Sequence, residues 1–264
     1  MIIGIDVGSI LVKAIMLDES INNTIVYKTV AKSAGDPEYI IKNLINDIAQ
    51  NLKLKKRDLN IGITGRNSEN LDVYHKFSEM NSLAAAINTL HRNTQIIVDI
   101  GGFTNKIIKV DDNGRISDYL VNNICSSGSG VFLSLICKSL DINISQIDEY
   151  AFQSKNPLQI SSQCSIFAET EVIYLMNEGK NLEDIVAGAC RSISGRLMPL
   201  ILKVGLDSIN QIVLTGGLGK SEFIKKDLEN QLKSQITTPK LDPLFVCAYG
   251  CALSLLNDSQ EGLN

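Results

Sequence analysis

The organisation of this chain follows from one stretch near its start, Ile5-Asp6-Val7-Gly8-Ser9-Ile10-Leu11-Val12-Lys13. The pattern returns later as Val98-Asp99-Ile100-Gly101-Gly102-Phe103-Thr104-Asn105-Lys106, with Asp, Gly and Lys at identical spacing. In both copies an apolar run follows and ends at an aspartate, Asp18 in the first and Asp111 in the second. Each copy therefore predicts a buried strand, a tight turn that glycine permits, and a second strand.

The chemistry of these two turns indicates a nucleotide site. A tight glycine turn presents main-chain N–H groups to an anion, and the Asp at its mouth can hold Mg²⁺ directly or through water. Two such turns facing each other would hold a metal-bound polyphosphate from both sides. A third glycine turn, Thr215-Gly216-Gly217, follows a later strand pattern. Because a nucleotide cleft between two domains requires such turns, we expect a nucleotide-dependent protein.

Composition bounds the class of protein. The chain has 264 residues, of which 44% are hydrophobic and 20% charged, as in ordinary soluble globular proteins. The net charge of −4 gives no general attraction to nucleic acid or acidic membranes. No uninterrupted run of ~18 apolar residues suits a membrane span, and no leader pattern precedes the first strand. We therefore expect a cytoplasmic protein with no nucleic-acid or membrane partner, whose six cysteines do not form a disulfide framework.

Apolar periodicity divides the chain into two halves that open in the same order. Each half begins with three strands, and the second set starts near Gln95. The first half continues as helix, strand and helix, and the second is mostly helical around one further strand. The predicted strands are 2–7, 11–18, 24–31, 59–64, 95–100, 104–111, 115–122 and 212–215; the predicted helices are one opening at Asp36-Pro37-Glu38 and those over 82–91, 129–140, 145–152, 166–178, 182–204, 221–234 and 245–256.

This order predicts a duplicated α/β protein with a mixed sheet in each half and helices packed around it. We expect an N-terminal subdomain over 1–93, a C-terminal subdomain over 94–256 and a frayed polar tail over 257–264. A cleft between the two subdomains would bring the duplicated turns together.

The motifs in these turns resemble those of the actin, Hsp70 and sugar-kinase superfamily, which has a ribonuclease H-like fold. Asp6-Val7-Gly8-Ser9 is similar to its first phosphate motif, Asp99-Ile100-Gly101-Gly102 to its second, and Thr215-Gly216-Gly217 to its adenosine motif. The resemblance implies a duplicated two-domain ATPase fold with ATP and Mg²⁺ in an interdomain nucleotide cleft. It implies that Asp6 and Asp99 bind Mg²⁺ and position the attacking water. The residues implied to bind ATP are Gly8, Ser9, Ile10, Leu11, Val12, Lys13, Gly101, Gly102, Phe103, Gly216, Gly217 and Lys220.

Two lysines at matching positions have two possible roles each. Lys13 could neutralise charge that develops on phosphoryl oxygens, or it could be a solvated strand lysine. Lys106 occupies the equivalent place in the second copy, and the same two interpretations apply to it.

Two of the six cysteines differ from the rest in their surroundings. Cys125 and Cys164 each stand among small polar residues directly before a predicted helix, where the positive helix end favours the thiolate. Two thiolates are too few for a four-cysteine site, but a twofold dimer would supply four. Such ligation fits zinc or an iron–sulfur cluster, and the residues alone leave both open, as well as two ordinary thiols. Buried structural thiols are expected at Cys137, Cys190, Cys247 and Cys251, which lie in apolar helical stretches.

Around these two cysteines the sequence resembles the 2-hydroxyacyl-CoA dehydratase activators, a family that includes the ATPase subunits of benzoyl-CoA reductase. The similar segments are 122–133 and 161–173, and the similarity runs from residue 2 to about 256. It implies a homodimer with one [4Fe-4S] cluster held by Cys125 and Cys164 of both subunits. It also implies an ATP-driven reductase component that receives electrons from flavodoxin or ferredoxin and passes them to a partner dehydratase or reductase. Helix 182–204 would be a lever between the ATP site and the cluster.

Several positions depart from the family pattern. Ile10 stands where Thr is usual, and Phe103-Thr104 replaces Gln-Asp, which removes a carboxylate. Thr104 instead resembles the Hsp70 version, with a hydroxyl near the γ-phosphate, and is predicted to be catalytic. These changes point to a divergent member that binds ATP, and they leave the rate of hydrolysis open. The alternatives are a small-molecule kinase of the pantothenate or acetylhexosamine type, which would need an Asp general base, and a non-catalytic scaffold.

Overall fold

The computed structural model describes residues 1–21, 23–69, 71, 74–122, 129–161, 164–205 and 211–261, with side chains up to residue 258. Within these ranges the chain forms two five-stranded sheets and eight α-helices. The first sheet contains β1 (Ile2–Val7), β2 (Leu11–Asp18), β3 (Thr24–Lys32), β4 (Asn60–Thr64) and β5 (His75–Lys76). The second contains β6 (Ile96–Ile100), β7 (Asn105–Val110), β8 (Ile116–Val121), β9 (Ile212–Thr215) and β10 (Ile236–Thr237). The helices are α1 (Pro37–Asn51), α2 (Glu79–Leu90), α3 (Ser129–Ser139), α4 (Ile147–Gln153), α5 (Ser165–Asn177), α6 (Leu182–Val204), α7 (Glu222–Leu232) and α8 (Val246–Glu261).

The two sheets share one topology. Their strand orders are β3-β2-β1-β4-β5 and, in the same direction, β8-β7-β6-β9-β10. In each sheet the central strand pairs antiparallel with the strand next in sequence and parallel with one that comes after an intervening helix. Both central strands, β1 and β6, are buried along their whole length, as expected for strands covered on both faces. The predicted duplication of an α/β fold is therefore confirmed.

The start of α1 shows how local sequence fixes an element. The Asp36 side chain accepts a hydrogen bond of 3.0 Å from the Glu38 N–H, and Pro37 occupies the first turn, where its missing N–H costs nothing. An apolar stripe of this helix is buried on one face. Its members are Ile40, Ile41, Leu44, Ile45 and Ile48.

Two compact units make up the chain, and they do not follow sequence order. Unit 1 comprises Met1–Thr94, Asp111–Ile116 and Pro239–Asn264, and unit 2 comprises Gln95–Val110 and Ser117–Thr238. The division near residue 94 lies close to the predicted one at 93, but the segment from Pro239 returns to unit 1 instead of remaining with the second subdomain.

The return of α8 to unit 1 depends on two glycines. A Cβ at Gly4 of β1 would lie 2.1 Å from the Ala248 main-chain oxygen, and a Cβ at Gly250 would lie 1.7 Å from the Ser82 main-chain oxygen. Only glycine allows so close an approach, so α8 packs directly against β1 and α2. The helix continues to Glu261, and the fraying predicted for 257–264 stays a prediction. Buried Leu255 and Leu256 anchor its later turns.

The core of unit 2 is organised around α6. This helix has the length and composition of a membrane span, but 56% of the apolar window is buried inside the structure, a pattern that core helices also show. Apolar residues of α6 pack with β6, α3 and α5 in one hydrophobic cluster. Helix α6 contacts α3, α4, α5 and α7, and α5 is the helix whose N-cap is Cys164.

Candidate functional site

The first glycine turn carries a buried ion pair. Asp6 at the end of β1 is the direct cross-strand partner of Lys13 on β2, and the Lys13 Nζ forms an ion pair with Asp6 Oδ2. Neighbouring positions on antiparallel strands point side chains to the same face, which brings these two together. Asp6 as a residue is 4% exposed. The pair shows that Lys13 is not a solvated strand lysine.

The second glycine turn repeats this arrangement in unit 2. Asp99 pairs with Lys106 across the strands, and Lys106 Nζ lies 3.2 Å from Asp99 Oδ2, with both residues buried. Lys106 Nζ also donates to the Thr104 hydroxyl at 3.5 Å. The two predicted catalytic carboxylates therefore each have a lysine fixed beside them, and Thr104 belongs to the second pair.

The two carboxylates differ in one hydrogen bond. Thr64 is the parallel-strand partner of Asp6, as Thr215 is of Asp99. The Thr215 hydroxyl donates to Asp99 Oδ1 at 3.0 Å. In unit 1, within the described part of the chain, Asp6 Oδ1 and the Thr64 hydroxyl are both buried without a hydrogen-bond partner. Such groups are rare in folded proteins, so the Asp6 Oδ1 oxygen has accepting capacity left for a ligand.

Both turns leave no room for a side chain at their first glycine. A Cβ at Gly8 would lie 2.8 Å from the Leu11 main-chain oxygen, and one at Gly101 would lie 2.5 Å from that of Thr104. The Gly101 N–H donates to the Thr104 oxygen at 3.0 Å. Ile10 and Phe103 at the tips are exposed. Of the remaining predicted residues here, Ser9, Leu11 and Gly102 are half-buried, whereas Val12 is buried and offers only its main chain.

The predicted adenosine loop packs its first glycine against β6. Gly216 has φ +86°, and a Cβ there would lie 2.5 Å from the Ile100 main-chain oxygen. Gly65 in unit 1 has φ +94° and lies similarly close to Val7. These matched Thr-Gly turns extend the duplication beyond the motifs found in the sequence. Gly217 and Lys220 are exposed and accessible to a ligand.

The start of α7, just after this loop, is capped from within the protein. The Asp148 carboxylate accepts hydrogen bonds from the Ser221 hydroxyl at 2.6 Å and from the Glu222 N–H at 2.8 Å. A carboxylate at a helix N-terminus satisfies free N–H groups and the helix dipole. The N-terminus of α7 is thus occupied by a protein side chain.

Two residues that sequence reasoning missed lie beside Asp6. Ligand atoms of Asp6, Glu79 and Cys247 all lie within 4.8 Å of one another. Glu79 opens α2 and Cys247 lies in the first turn of α8, and both elements pack on each other. Cys247 is buried, as expected, but it also faces a carboxylate pair. No local signal in the sequence could have shown this, since the contact depends on the return of α8.

Helix α3 begins against the second glycine turn. The N–H groups of Gly130 and Val131 donate to the main-chain oxygens of Gly101 and Gly102, at 3.1 and 3.0 Å. A Cβ at Gly130 would lie 2.9 Å from the Gly102 Cα, so glycine is required there. The segment that precedes α3 contains Cys125, which lies outside the described residues. The second glycine turn is therefore hydrogen-bonded to α3, the helix that directly follows the segment containing the predicted cluster ligand Cys125.

Cys164 differs from the other described cysteines. It is partly exposed and is the N-cap residue of α5, whereas Cys137, Cys190, Cys247 and Cys251 are buried. Burial raises the pKa of Cys137 to about 11 and raises the pKa values of Cys190 and Cys251 as well. These three buried thiols stay protonated at neutral pH, which suits structural residues.

A cation lies in the electrostatic reach of Cys164. The Arg196 guanidinium on α6 stacks over the Phe132 ring of α3, with its carbon 4.0 Å from the ring centroid. Burial lowers the pKa of Arg196, and the charge of Cys164 opposes that shift.

Comparison with known proteins identifies the family. The profile of the BadF/BadG/BcrA/BcrD ATPase family matches residues 3–254. This chain belongs to that family. The predicted resemblance to the dehydratase-activator and benzoyl-CoA reductase ATPase family is confirmed.

Individual members of the BadF/BadG/BcrA/BcrD ATPase family match along nearly the whole chain. The (R)-2-hydroxyglutaryl-CoA dehydratase activating ATPase of Acidaminococcus fermentans is 32% identical over 254 residues, covering 95% of each chain. A benzoyl-CoA reductase subunit of Thauera aromatica is 29% identical over 259 residues, covering 95% of this chain and 91% of its own. The activator of the 2-hydroxyisocaproyl-CoA dehydratase from Clostridium difficile with bound ADPNP superposes with a TM-score of 0.90 at 28% identity, covering 99% of this chain and 96% of the other. The predicted duplicated, actin-like ATPase fold is confirmed.

Proposed function

We propose that this chain is an ATP-dependent activator: a reductase component that uses ATP binding and hydrolysis to deliver a low-potential electron to a partner enzyme. The partner is of the 2-hydroxyacyl-CoA dehydratase or benzoyl-CoA reductase type. Similarity to an activating ATPase and to a benzoyl-CoA reductase component over 95% of the chain supports this, as does a structural relative bound to ADPNP. We propose a cytoplasmic homodimer that receives its electrons from flavodoxin or ferredoxin.

The ATP part of the proposal is supported by the two Asp–Lys pairs. The glycine turns would hold phosphate oxygens through main-chain N–H groups, and Asp6 and Asp99 would bind Mg²⁺ and orient the attacking water. Lys13 and Lys106, already fixed by ion pairs, neutralise charge on the phosphoryl oxygens. The Thr104 hydroxyl takes the place of the missing carboxylate near the γ-phosphate.

The redox part depends on one observation, the placement of Cys164. It is partly exposed at a helix N-terminus with Arg196 in electrostatic reach, and these features fit a thiolate ligand. Cys125 and Cys164 from each of two subunits would supply the four thiolates that a [4Fe-4S] cluster needs. When bound, the cluster supplies the low-potential electron.

The exposed face of α5 supports the proposed dimer. Ile166 and Phe167, directly after Ser165 at the start of the helix, are 64% and 68% exposed, and Tyr174 is 61% exposed. Large apolar side chains grouped on one helix are costly in water and mark an interaction surface. A second copy covering this face would also bring the two Cys164 residues toward each other across the twofold axis.

Iron analysis tests the redox part directly. Anaerobically purified protein should be brown and hold about four irons per dimer. The variant Cys164→Ser should lose both the colour and the iron. The matched control, Cys137→Ala, removes a buried thiol that takes no part in the proposed site and should keep both.

Three results would overturn this function. A colourless protein without iron after anaerobic iron–sulfur reconstitution would contradict the cluster, as would full iron retention in Cys164→Ser. ATP-dependent phosphorylation of a small-molecule acceptor, with no iron bound, would instead support the kinase alternative.

A further inference from the structure

We propose that Asp6, Glu79 and Cys247 form a mixed oxygen–sulfur site that binds one divalent cation and prefers thiophilic ions over Mg²⁺. The proposal goes beyond the activator function and deepens it at one point, because Asp6 is also assigned to the ATP site. Its observations are the geometry of the three side chains, the unsatisfied oxygen of Asp6 and the position of the Cys247 thiol.

The three ligand atoms are close enough to share an ion. All lie within 4.8 Å of one another. At the tetrahedral angle, bonds of about 2.1 Å to oxygen and 2.3 Å to sulfur place two ligand atoms roughly 3.6 Å apart. An ion among these atoms therefore needs the side chains to approach one another by about 1 Å at most. The three residues come from β1, α2 and α8, and α8 packs against both β1 and α2 within unit 1.

Asp6 has one carboxylate oxygen to give. Its Oδ2 is engaged by Lys13, while Oδ1 is buried and has no hydrogen-bond partner among the described residues. The Thr64 hydroxyl, also buried and without a partner there, comes from the neighbouring strand position. In unit 2 the equivalent oxygen of Asp99 is satisfied by Thr215. The duplicated unit thus satisfies this oxygen with a threonine hydroxyl, and unit 1 does not.

Cys247 is placed to become a ligand. It lies near the start of α8, with its sulfur beside the carboxylates of Asp6 and Glu79. Its Sγ donates to the Glu79 main-chain oxygen at 3.8 Å, which holds the sulfur at the start of α2. The residue is 5% exposed, so an ion there would be largely shielded from water. Binding would release the thiol proton to solvent.

The donor set determines which cations should bind. Mg²⁺ prefers six oxygen ligands in near-octahedral geometry, several of them water. Two carboxylates and one thiolate, with the remaining position open, suit Zn²⁺, Co²⁺ or Cd²⁺. We therefore expect these ions to bind in the absence of nucleotide and to compete with Mg²⁺ at Asp6.

Cobalt titration tests the site apart from the redox function. The protein would carry Cys125→Ser and Cys164→Ser, so that no cluster thiols remain, and no ATP would be added. Co²⁺ should bind with a stoichiometry near one and produce thiolate-to-cobalt charge-transfer absorption. Adding Cys247→Ala should abolish that absorption and weaken binding by roughly tenfold or more. Cys251→Ala, one turn further along α8, should leave both unchanged.

A second variant separates the ligand set from folding. Glu79→Gln keeps the thiol and should retain the charge-transfer band with weaker Co²⁺ binding, while circular dichroism shows an intact fold. Absence of the band in the parent protein, its persistence in Cys247→Ala, or displacement of Co²⁺ by equimolar Mg²⁺ would overturn the proposal. None of these results depends on iron or ATP hydrolysis, so they leave the proposed activator function untouched.

Discussion

The Thr215 hydroxyl donates a hydrogen bond of 3.0 Å to Asp99, and both residues are buried. The matching hydroxyl of Thr64 in unit 1 is buried without a partner among the described residues. The duplicated strands therefore hold the same residue types in the same register. The threonine hydroxyl is hydrogen-bonded to the aspartate in unit 2, whereas in unit 1 it has no partner among the described residues.

Replacing these two threonines with valine should affect the stability of the protein differently in the two units. Thr215→Val strands a carboxylate oxygen in the protein interior and should lower the free energy of unfolding by about 1–3 kcal/mol. Thr64→Val removes a hydroxyl that bonds to nothing described and should change stability by less than about 1 kcal/mol, or raise it. Urea unfolding of the ligand-free protein measures both. Equal losses of unfolding free energy in the two variants would contradict the difference in hydrogen bonding between Thr215 and Thr64.

The Asp99–Lys106 pair should be costly to break from one side. Lys106→Met leaves a buried carboxylate without its cation and should destabilise the protein by about 3 kcal/mol or more. The double variant Asp99→Asn/Lys106→Met carries no stranded charge and should be the more stable of the two. Urea unfolding at neutral pH compares them; a double variant less stable than the single one would show that the charge is not buried as described.

The Asp148 cap of α7 should contribute measurably to stability. Asp148→Ala leaves the Ser221 hydroxyl and the Glu222 N–H without their acceptor and should cost about 1–2 kcal/mol. Asp141→Asn serves as the control, because Asp141 is exposed and its φ of +53° suits Asn. Thermal unfolding should show a lower midpoint for Asp148→Ala and no change for the control.

Asp184 should contribute to the loss of stability of unit 2 at low pH. The Ser154 hydroxyl and nearby main-chain N–H groups donate to its carboxylate and lower its pKa below the ordinary value of 3.8. A carboxylate with a depressed pKa stabilises the fold above its unfolded pKa, and that stability is lost as the pH falls through the native value. Compared with Asp184→Asn, the unaltered protein should therefore be more stable at pH 7, and the difference should shrink below about pH 4. A difference that stays constant between about pH 7 and pH 3 would contradict this.

Much of the fold was predictable because the sequence repeats itself. Around Gly8 and Gly101, long apolar runs alternate with short polar breaks along the sequence. All six strands predicted there form within about one residue of the expected bounds. The edge strands β5 and β10 were missed, since His75–Lys76 and Ile236–Thr237 are too short to carry a pattern. They form because a neighbouring parallel strand offers them hydrogen bonds.

The site was predictable only where its residues are close in sequence. The spacing from Asp6 to Lys13 spans one turn between two paired strands, so both residues fall in one motif, but their ion pair could not be read from it. Cys247 and Glu79 reach Asp6 through the packing of α8 on β1, which depends on the missing side chain of Gly4. Such a contact has no periodic signal. The roles predicted for the individual residues in catalysis, in binding ATP and in holding a cluster all stay predictions.

Electron paramagnetic resonance of the reduced protein, recorded with and without Mg-ATP, joins the nucleotide site to Cys164 in one measurement. We predict the signal of a reduced [4Fe-4S] cluster whose line shape changes when ATP is added, and which is absent from Cys164→Ser. A reconstituted and reduced protein that gives no such signal, or one that ATP leaves unchanged and Cys164→Ser retains, would contradict an ATP-driven electron-transfer activator.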